Sequence, residues 1–138
     1  MKSIVRLVSL MVLCTLSAAA YAGLNMQEGL WETALVMSGK AMPAEKKCYL
    51  KADVAMMEDM FLGKVVKPGD PCRYSDYKRS GNAVSYTMTC KFGKTDSTSF
   101  VTVSYNGDSA GGTIKTGSAV ITTSSKRVGN CSQSSFSK

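Results

Sequence analysis

The sequence has no histidine among its 138 residues. Histidine is the side chain that most often acts as a general base at neutral pH, and it activates the nucleophile in serine and cysteine triads. Serines and threonines are numerous in this chain, but it has no histidine to activate them. We therefore expect no catalytic residues and no enzymatic activity.

Closely spaced cysteine pairs are also absent. Structural zinc sites usually draw on CxxC-like pairs, and no two cysteines here are that close. The methionines Met56, Met57 and Met60 do cluster, and thioethers can bind Cu(I). Helical spacing, however, puts Met57 on one face with Val54 and Phe61, where methionine commonly fills gaps in a core. We expect neither a metal site nor a cofactor.

The N-terminal apolar stretch is not long enough to span a membrane permanently. It covers residues 4–16 and is interrupted by Arg6 and Ser9. Lys2 and Arg6 supply positive charge at its start, and small residues follow it at positions 20 and 22. We therefore predict a cleavable signal peptide over residues 1–22, with cleavage before Gly23. An uncleaved membrane anchor is the alternative. The predicted location is the periplasm, with secretion from the cell as the other possibility.

The predicted mature chain, residues 23–138, has a length suited to one domain, and its loose tail begins at about residue 132. Two of the seventeen basic residues lie in the signal peptide, which leaves fifteen against ten acidic residues. An exported protein does not normally meet chromosomal DNA, so we expect no nucleic-acid partner. The excess of positive charge favours weak contact with an anionic membrane surface. A basic surface that simply faces solvent explains this charge equally well.

The cysteine count predicts two disulfides. Of the five cysteines, Cys14 lies in the signal peptide, and the other four remain as an even number in a small exported domain. Cys72 and Cys90 each lie nine residues from Gly81. They face each other if residues 80–82 form a three-residue hairpin loop, whereas a loop one residue shorter or longer would spoil the match.

The same predicted register places Tyr74 opposite Met88 on the face that carries the Cys72–Cys90 disulfide. The second disulfide, Cys48–Cys131, follows by elimination.

Alternating apolar and polar residues predict a mainly β fold with a minor α component. We expect one antiparallel curved sheet, or a partial barrel, of five to six strands. Asp53 is the predicted N-cap of one short helix over residues 54–62, and residues 38–47 are predicted to form a loop. The predicted strands cover residues 28–37, 74–79, 83–90, 98–105, 109–116 and 119–125, with a short extended piece at 48–50.

These landmarks resemble those of uncharacterised exported bacterial proteins, domain-of-unknown-function family 3617. The sequence departs from the family at Tyr86, where tryptophan is frequent, and at Asn130, where aspartate is frequent. The resemblance implies a fold and a compartment but no activity. The matching segments are residues 29–32, Met42-Pro43, residues 48–50, the block from Cys72 to Cys90, residues 105–109 and residues 127–131.

Three residues are candidates for lining a ligand site. Trp31 is expected to anchor the core, Glu32 beside it is a candidate pocket carboxylate, and Tyr86 lies in the second hairpin strand. An outward-facing position is the alternative for Glu32. We expect a binding module for a small hydrophobic or lipid-like ligand or a peptide. The alternative is an interaction or inhibitor protein that docks on another envelope protein.

Overall fold

The computed structural model describes residues 23–132 and contains eight strands and one helix in that range. The predicted signal peptide and the tail beyond residue 132 lie outside the described residues. Within them, no helix is long and apolar enough to cross a membrane. The elements in chain order are β1 (Gly29–Met37), β2 (Lys40–Ala41), β3 (Glu45–Tyr49), α1 (Lys51–Phe61), β4 (Cys72–Ser80), β5 (Ala83–Phe92), β6 (Thr95–Tyr105), β7 (Ser109–Thr116) and β8 (Ala119–Gly129).

All eight strands belong to one open antiparallel sheet. Strands β4 to β8 pair in succession as a meander, and β1 returns to pair with β8. Strands β2 and β3 pair with opposite ends of β1, while β4 forms the far edge. Helix α1 connects β3 at one edge to β4 at the other and lies against one face of the sheet. We call this face, which carries Trp31, Tyr86 and Val103, the inner face.

The prediction of five to six strands is wrong, because residues 38–47 form β2 and β3 rather than a loop. Ser38 and Gly39, with φ values of 51° and 77°, make the tight turn from β1 to β2. Strand β3 begins with three charged residues. Charged side chains protect an edge strand from pairing with other chains, and they also hide the apolar alternation that identifies a strand from sequence.

The β4–β5 hairpin has a shorter loop than predicted. Ser80 pairs with Ala83, so the turn contains two residues instead of three. Without any other change, a turn that is one residue shorter would move Cys72 out of register with Cys90. The two cysteines are nevertheless paired opposite each other.

A β-bulge in β4 restores the register. Between Ser75 and Lys78, the two residues Asp76 and Tyr77 oppose the single residue Tyr86. Asp76 has a φ of 55°, in the left-handed region that non-glycine residues seldom adopt. The inserted residue reverses the alternation of the strand, so that Tyr77 points to the inner face.

The structure has two disulfides, Cys72–Cys90 and Cys48–Cys131, which is the pairing that the sequence predicts. The first joins β4 to β5, with its Cα atoms 3.9 Å apart. The second joins the end of β3 to the segment after β8, across 83 residues of sequence. It therefore holds the start of α1 close to the C-terminal end of the sheet.

Helix α1 begins three residues earlier than predicted. Its N-cap is Leu50, and Asp53 lies inside the first turn. The Asp53 carboxylate accepts a 2.8 Å hydrogen bond from the backbone N–H of Leu50. This bond, and the favourable position of a negative charge near a helix N-terminus, explain why aspartate marks the start of the helix although it is not the N-cap itself.

The C-terminal end of α1 closes one half of the inner face. Phe61 stacks on Tyr86 with ring centroids 4.2 Å apart, and its edge meets Tyr74 at 5.8 Å. Val84 and Val101, both buried, extend this core. This half of the inner face is therefore filled with aromatic and aliphatic side chains.

Candidate functional site

The other half of the inner face contains a cavity beneath α1, which we call the inner cavity. Its volume is about 180 Å³. Strands β1, β6, β7 and β8 supply most of its wall, and Met57 closes it from the helix. The lining residues are Met26, Trp31, Thr33, Tyr49, Met57, Val103, Tyr105, Ala110, Thr123 and Ser125.

Trp31 forms the most deeply buried part of this wall, with 1% of its surface exposed. Its indole N–H donates a 2.9 Å hydrogen bond to the backbone carbonyl of Gln27. This bond fixes the ring and satisfies its one polar group, so the ring presents apolar surface to the cavity. Trp31 is the only tryptophan in the chain, which makes its fluorescence a specific reporter of the cavity.

Ala110 of β7 contributes a small side chain to the lining of the inner cavity. Gly112, two residues along the same strand, pairs with Val103 on one side and with Thr123 on the other. A Cβ added at Gly112 would lie 2.1 Å from the backbone oxygen of Thr102, so no other residue fits this backbone. Gly112 therefore allows β7 to lie close to the backbone of β6, next to the cavity wall formed by Val103.

Five hydroxyl side chains give the cavity a polar side: those of Thr33, Tyr49, Tyr105, Thr123 and Ser125. Thr33 and Ser125 share a 2.8 Å hydrogen bond, and Thr123 lies next to Ser125 on β8. Burial raises the pKa of the Tyr105 hydroxyl well above its usual value, so it stays protonated. A mostly apolar cavity with a few hydroxyls suits a hydrophobic molecule that carries little polarity.

A second, wider cavity of about 520 Å³, the outer cavity, lies between the N-terminal segment and the first turns of α1. Met26 lines both cavities, which therefore adjoin at this residue. The outer cavity also has two basic residues and one acidic residue in its lining. Its lining residues are Gly23, Leu24, Met26, Gln27, Glu28, Lys51, Val54, Ala55 and Arg127.

Of the three residues that the sequence suggested as ligand-lining, the structure brings only Trp31 to the inner cavity. Glu32 follows Trp31 on β1 and therefore points to the opposite face, where it lies 3.7 Å from the Lys46 ammonium. Tyr86 is buried against Phe61 in the filled half of the inner face. Neither Glu32 nor Tyr86 lines the inner cavity.

Sequence reasoning missed most of the cavity. Met26 precedes the first predicted strand, and Ala110 lies in a strand that its glycines weaken. The alternation in residues 119–125 places Thr123 and Ser125 on the same face of a strand, and this was the only sequence signal for their role in the cavity. The alternation did not show which face of the sheet α1 would cover.

The clustered methionines have different surroundings. Met57 lines the inner cavity, Met56 is exposed, and Met60 lies beside Val65 and Tyr74 at the other end of α1. Among residues 23–132, no three His, Cys, Asp or Glu side chains are grouped as a metal site would require.

The fold and the cavity define a protein class: a disulfide-linked antiparallel sheet, crossed on one face by a single helix that covers a small cavity. Residues 26–131 match the family described as protein of unknown function (DUF3617), and the chain belongs to this family. The match includes all eight strands and α1, and it confirms the resemblance seen in the sequence motifs. Searches of curated proteins and of solved structures find no match.

Proposed function

We propose that this protein is a non-catalytic binding module of the cell envelope, exported to the periplasm, that holds a small hydrophobic or lipid-like molecule. The observation that carries the proposal is the inner cavity between α1 and the sheet. Its wall is mainly apolar, with Trp31, Met57 and Val103 facing the space. The sheet supplies a rigid frame, since its strands are paired in one continuous ladder and the two disulfides cross-link it.

The size of the inner cavity argues against a simple packing fault. Protein interiors are close-packed and contain few voids larger than a water molecule. A volume of about 180 Å³ corresponds to roughly six water-sized groups, at about 30 Å³ each. An apolar ligand is favoured there because it removes the apolar surface of Trp31, Met57 and Val103 from water.

The test follows Trp31 fluorescence while decanol, a neutral single-chain alcohol, is added to the purified protein. We expect saturable binding and a shift in the tryptophan emission. The variant Ala110→Leu fills the inner cavity and should weaken binding at least about tenfold. The matched control is Ala34→Leu on the outer face of β1, where the side chain is exposed. Absence of saturable binding, or equal binding by both variants, would reject the proposal.

The alternative, an interaction protein that docks on another envelope protein, also has one observation in its favour. Met56, Leu62, Val65 and Val66 are exposed along α1 and the segment after it, with Val66 at 56% exposure. If this surface binds a partner, Val66→Lys should abolish capture of one defined envelope protein. The inner-cavity variant Ala110→Leu should leave that capture unchanged.

A further inference from the structure

The two cavities differ in chemistry and meet at one flexible side chain. The inner cavity has a mainly apolar wall with hydroxyl groups, whereas the outer cavity is larger, more open and has charged residues in its wall. Met26 lines both cavities and is partly buried. Methionine is unbranched and adapts its shape to neighbouring groups, so it can move aside for a narrow chain. One elongated molecule could therefore occupy both cavities.

The basic groups of the outer cavity are free to bind an anion. Within residues 23–132, neither Lys51 nor Arg127 forms an ion pair with a carboxylate. Arg127 is oriented by neutral acceptors instead: its Nε donates to the Glu28 backbone carbonyl at 2.7 Å, and its Nη2 donates to the Asn130 side chain. A guanidinium has five N–H donors, so further donors remain for a ligand.

The charge around this cavity is positive on balance. Lys51 and Arg127 outnumber Glu28, which is the only carboxylate among the lining residues. These features attract a negatively charged group toward the outer cavity.

Resting on the proposed function, we propose that the ligand is a single-chain anionic amphiphile. Its acid group lies in the outer cavity beside Lys51 and Arg127, and its alkyl chain passes Met26 into the inner cavity toward Val103 and Thr123. Arg127 is the cross-strand partner of Trp31, so the acid group lies at the Trp31 end of the inner cavity. The inner cavity holds about six methylene-sized groups. A ten-carbon chain supplies this many and leaves several carbons in the outer cavity.

The first test compares three ligands with the same chain: decanoate, decanol and decylammonium. We expect decanoate to bind most tightly and decylammonium most weakly. Replacing the basic group with Lys51→Gln should weaken decanoate binding about two- to fivefold, the range for one partly exposed ion pair, and leave decanol binding unchanged. Lys94→Gln, an exposed lysine in the β5–β6 turn, is the control for net charge.

The second test determines the orientation of the chain. Bromine quenches tryptophan fluorescence at short range, and Arg127 is the cross-strand partner of Trp31. Decanoate brominated beside the carboxylate should therefore quench Trp31 more strongly than decanoate brominated at its terminal carbon. Equal quenching, or the reverse order, would overturn the proposed orientation.

The outcomes separate this inference from the proposed function. If decanol and decanoate bind equally and Lys51→Gln has no effect, the anionic ligand is rejected while the hydrophobic site remains. If decylammonium binds best, the charge assignment is wrong. If none of the three ligands changes Trp31 fluorescence, both the inference and the proposed function fail.

Discussion

Tyr77 of β4 donates a 2.7 Å hydrogen bond to the carboxylate of Glu58 in α1. The same oxygen of Glu58 accepts a 3.0 Å hydrogen bond from Arg79. Both side chains of β4 reach the helix because the bulge at Asp76 turns them to the inner face. The edge strand and the helix are thus held together by one carboxylate, whose negative charge Arg79 compensates.

This arrangement predicts a pH dependence of stability. Burial and the hydrogen bond to Glu58 raise the pKa of Tyr77 to about 12, from 10.0. The folded state therefore favours the protonated phenol, and the stability that this provides is present in full below pH 10. It is lost as the pH rises from 10 to 12, because the unfolded tyrosine ionises first.

The corresponding variant is Tyr77→Phe, whose free energy of unfolding should be about 1–2 kcal/mol lower than that of the wild type at neutral pH. Its loss of stability between pH 10 and 12 should be smaller, since Tyr77 no longer titrates. Urea denaturation at several pH values measures both quantities. Identical pH profiles for the two proteins would contradict the assignment.

The bulge itself can be tested at Asp76, whose φ is 55°. Asp76→Gly should be neutral or slightly stabilising, because glycine adopts this conformation without steric cost. Asp76→Val should destabilise the protein by about 1–2 kcal/mol, since a β-branched residue fits the left-handed region poorly. The difference between the two variants, measured by urea denaturation, isolates the backbone effect. Equal stabilities would indicate a relaxed bulge.

The two adjacent glycines of β7 make a matched pair for testing how closely this strand packs against its neighbours. A Cβ at Gly112 would collide with the backbone of Thr102, whereas a Cβ at Gly111 would lie 3.5 Å from the oxygen of Thr123, an ordinary contact. Gly112→Ala should therefore cost at least about 2 kcal/mol of stability, while Gly111→Ala should change it by less than about 1 kcal/mol. Thermal unfolding of both variants gives the comparison.

The disulfides should contribute unequally to stability. The Cys48–Cys131 bond closes 83 residues and the Cys72–Cys90 bond closes 18. In the chain-entropy model, these loops correspond to about 4.6 and about 3 kcal/mol. Replacing the first pair by alanine should therefore destabilise the protein more than replacing the second. The opposite order, in urea denaturation of both double variants, would show that enthalpic effects dominate.

Local patterns determined much of the fold. The alternation over residues 83–90 and 98–105 predicted two strands that the structure contains, because side chains point to opposite faces at every second position whatever the partner strand. The cysteine pairing followed from spacing and number. Cys72 and Cys90 lie opposite each other as predicted, but a three-residue loop is not the cause. A two-residue turn and the β-bulge at Asp76 compensate each other and give the same register.

The sequence by itself determined the β-rich class, helix α1 and the two cross-links, because these depend on local periodicity and on the small number of cysteines. Only the tertiary structure decided that β2 and β3 join the sheet and that Tyr77 turns toward Glu58. It alone brought Met26, Met57 and Ser125 to one cavity. These residues are far apart in the chain. Which part of the inner face α1 covers depends on the path that the helix takes from one edge of the sheet to the other. No local pattern encodes that path, because it arises from the packing of Phe61 against the aromatic side chains of β4 and β5.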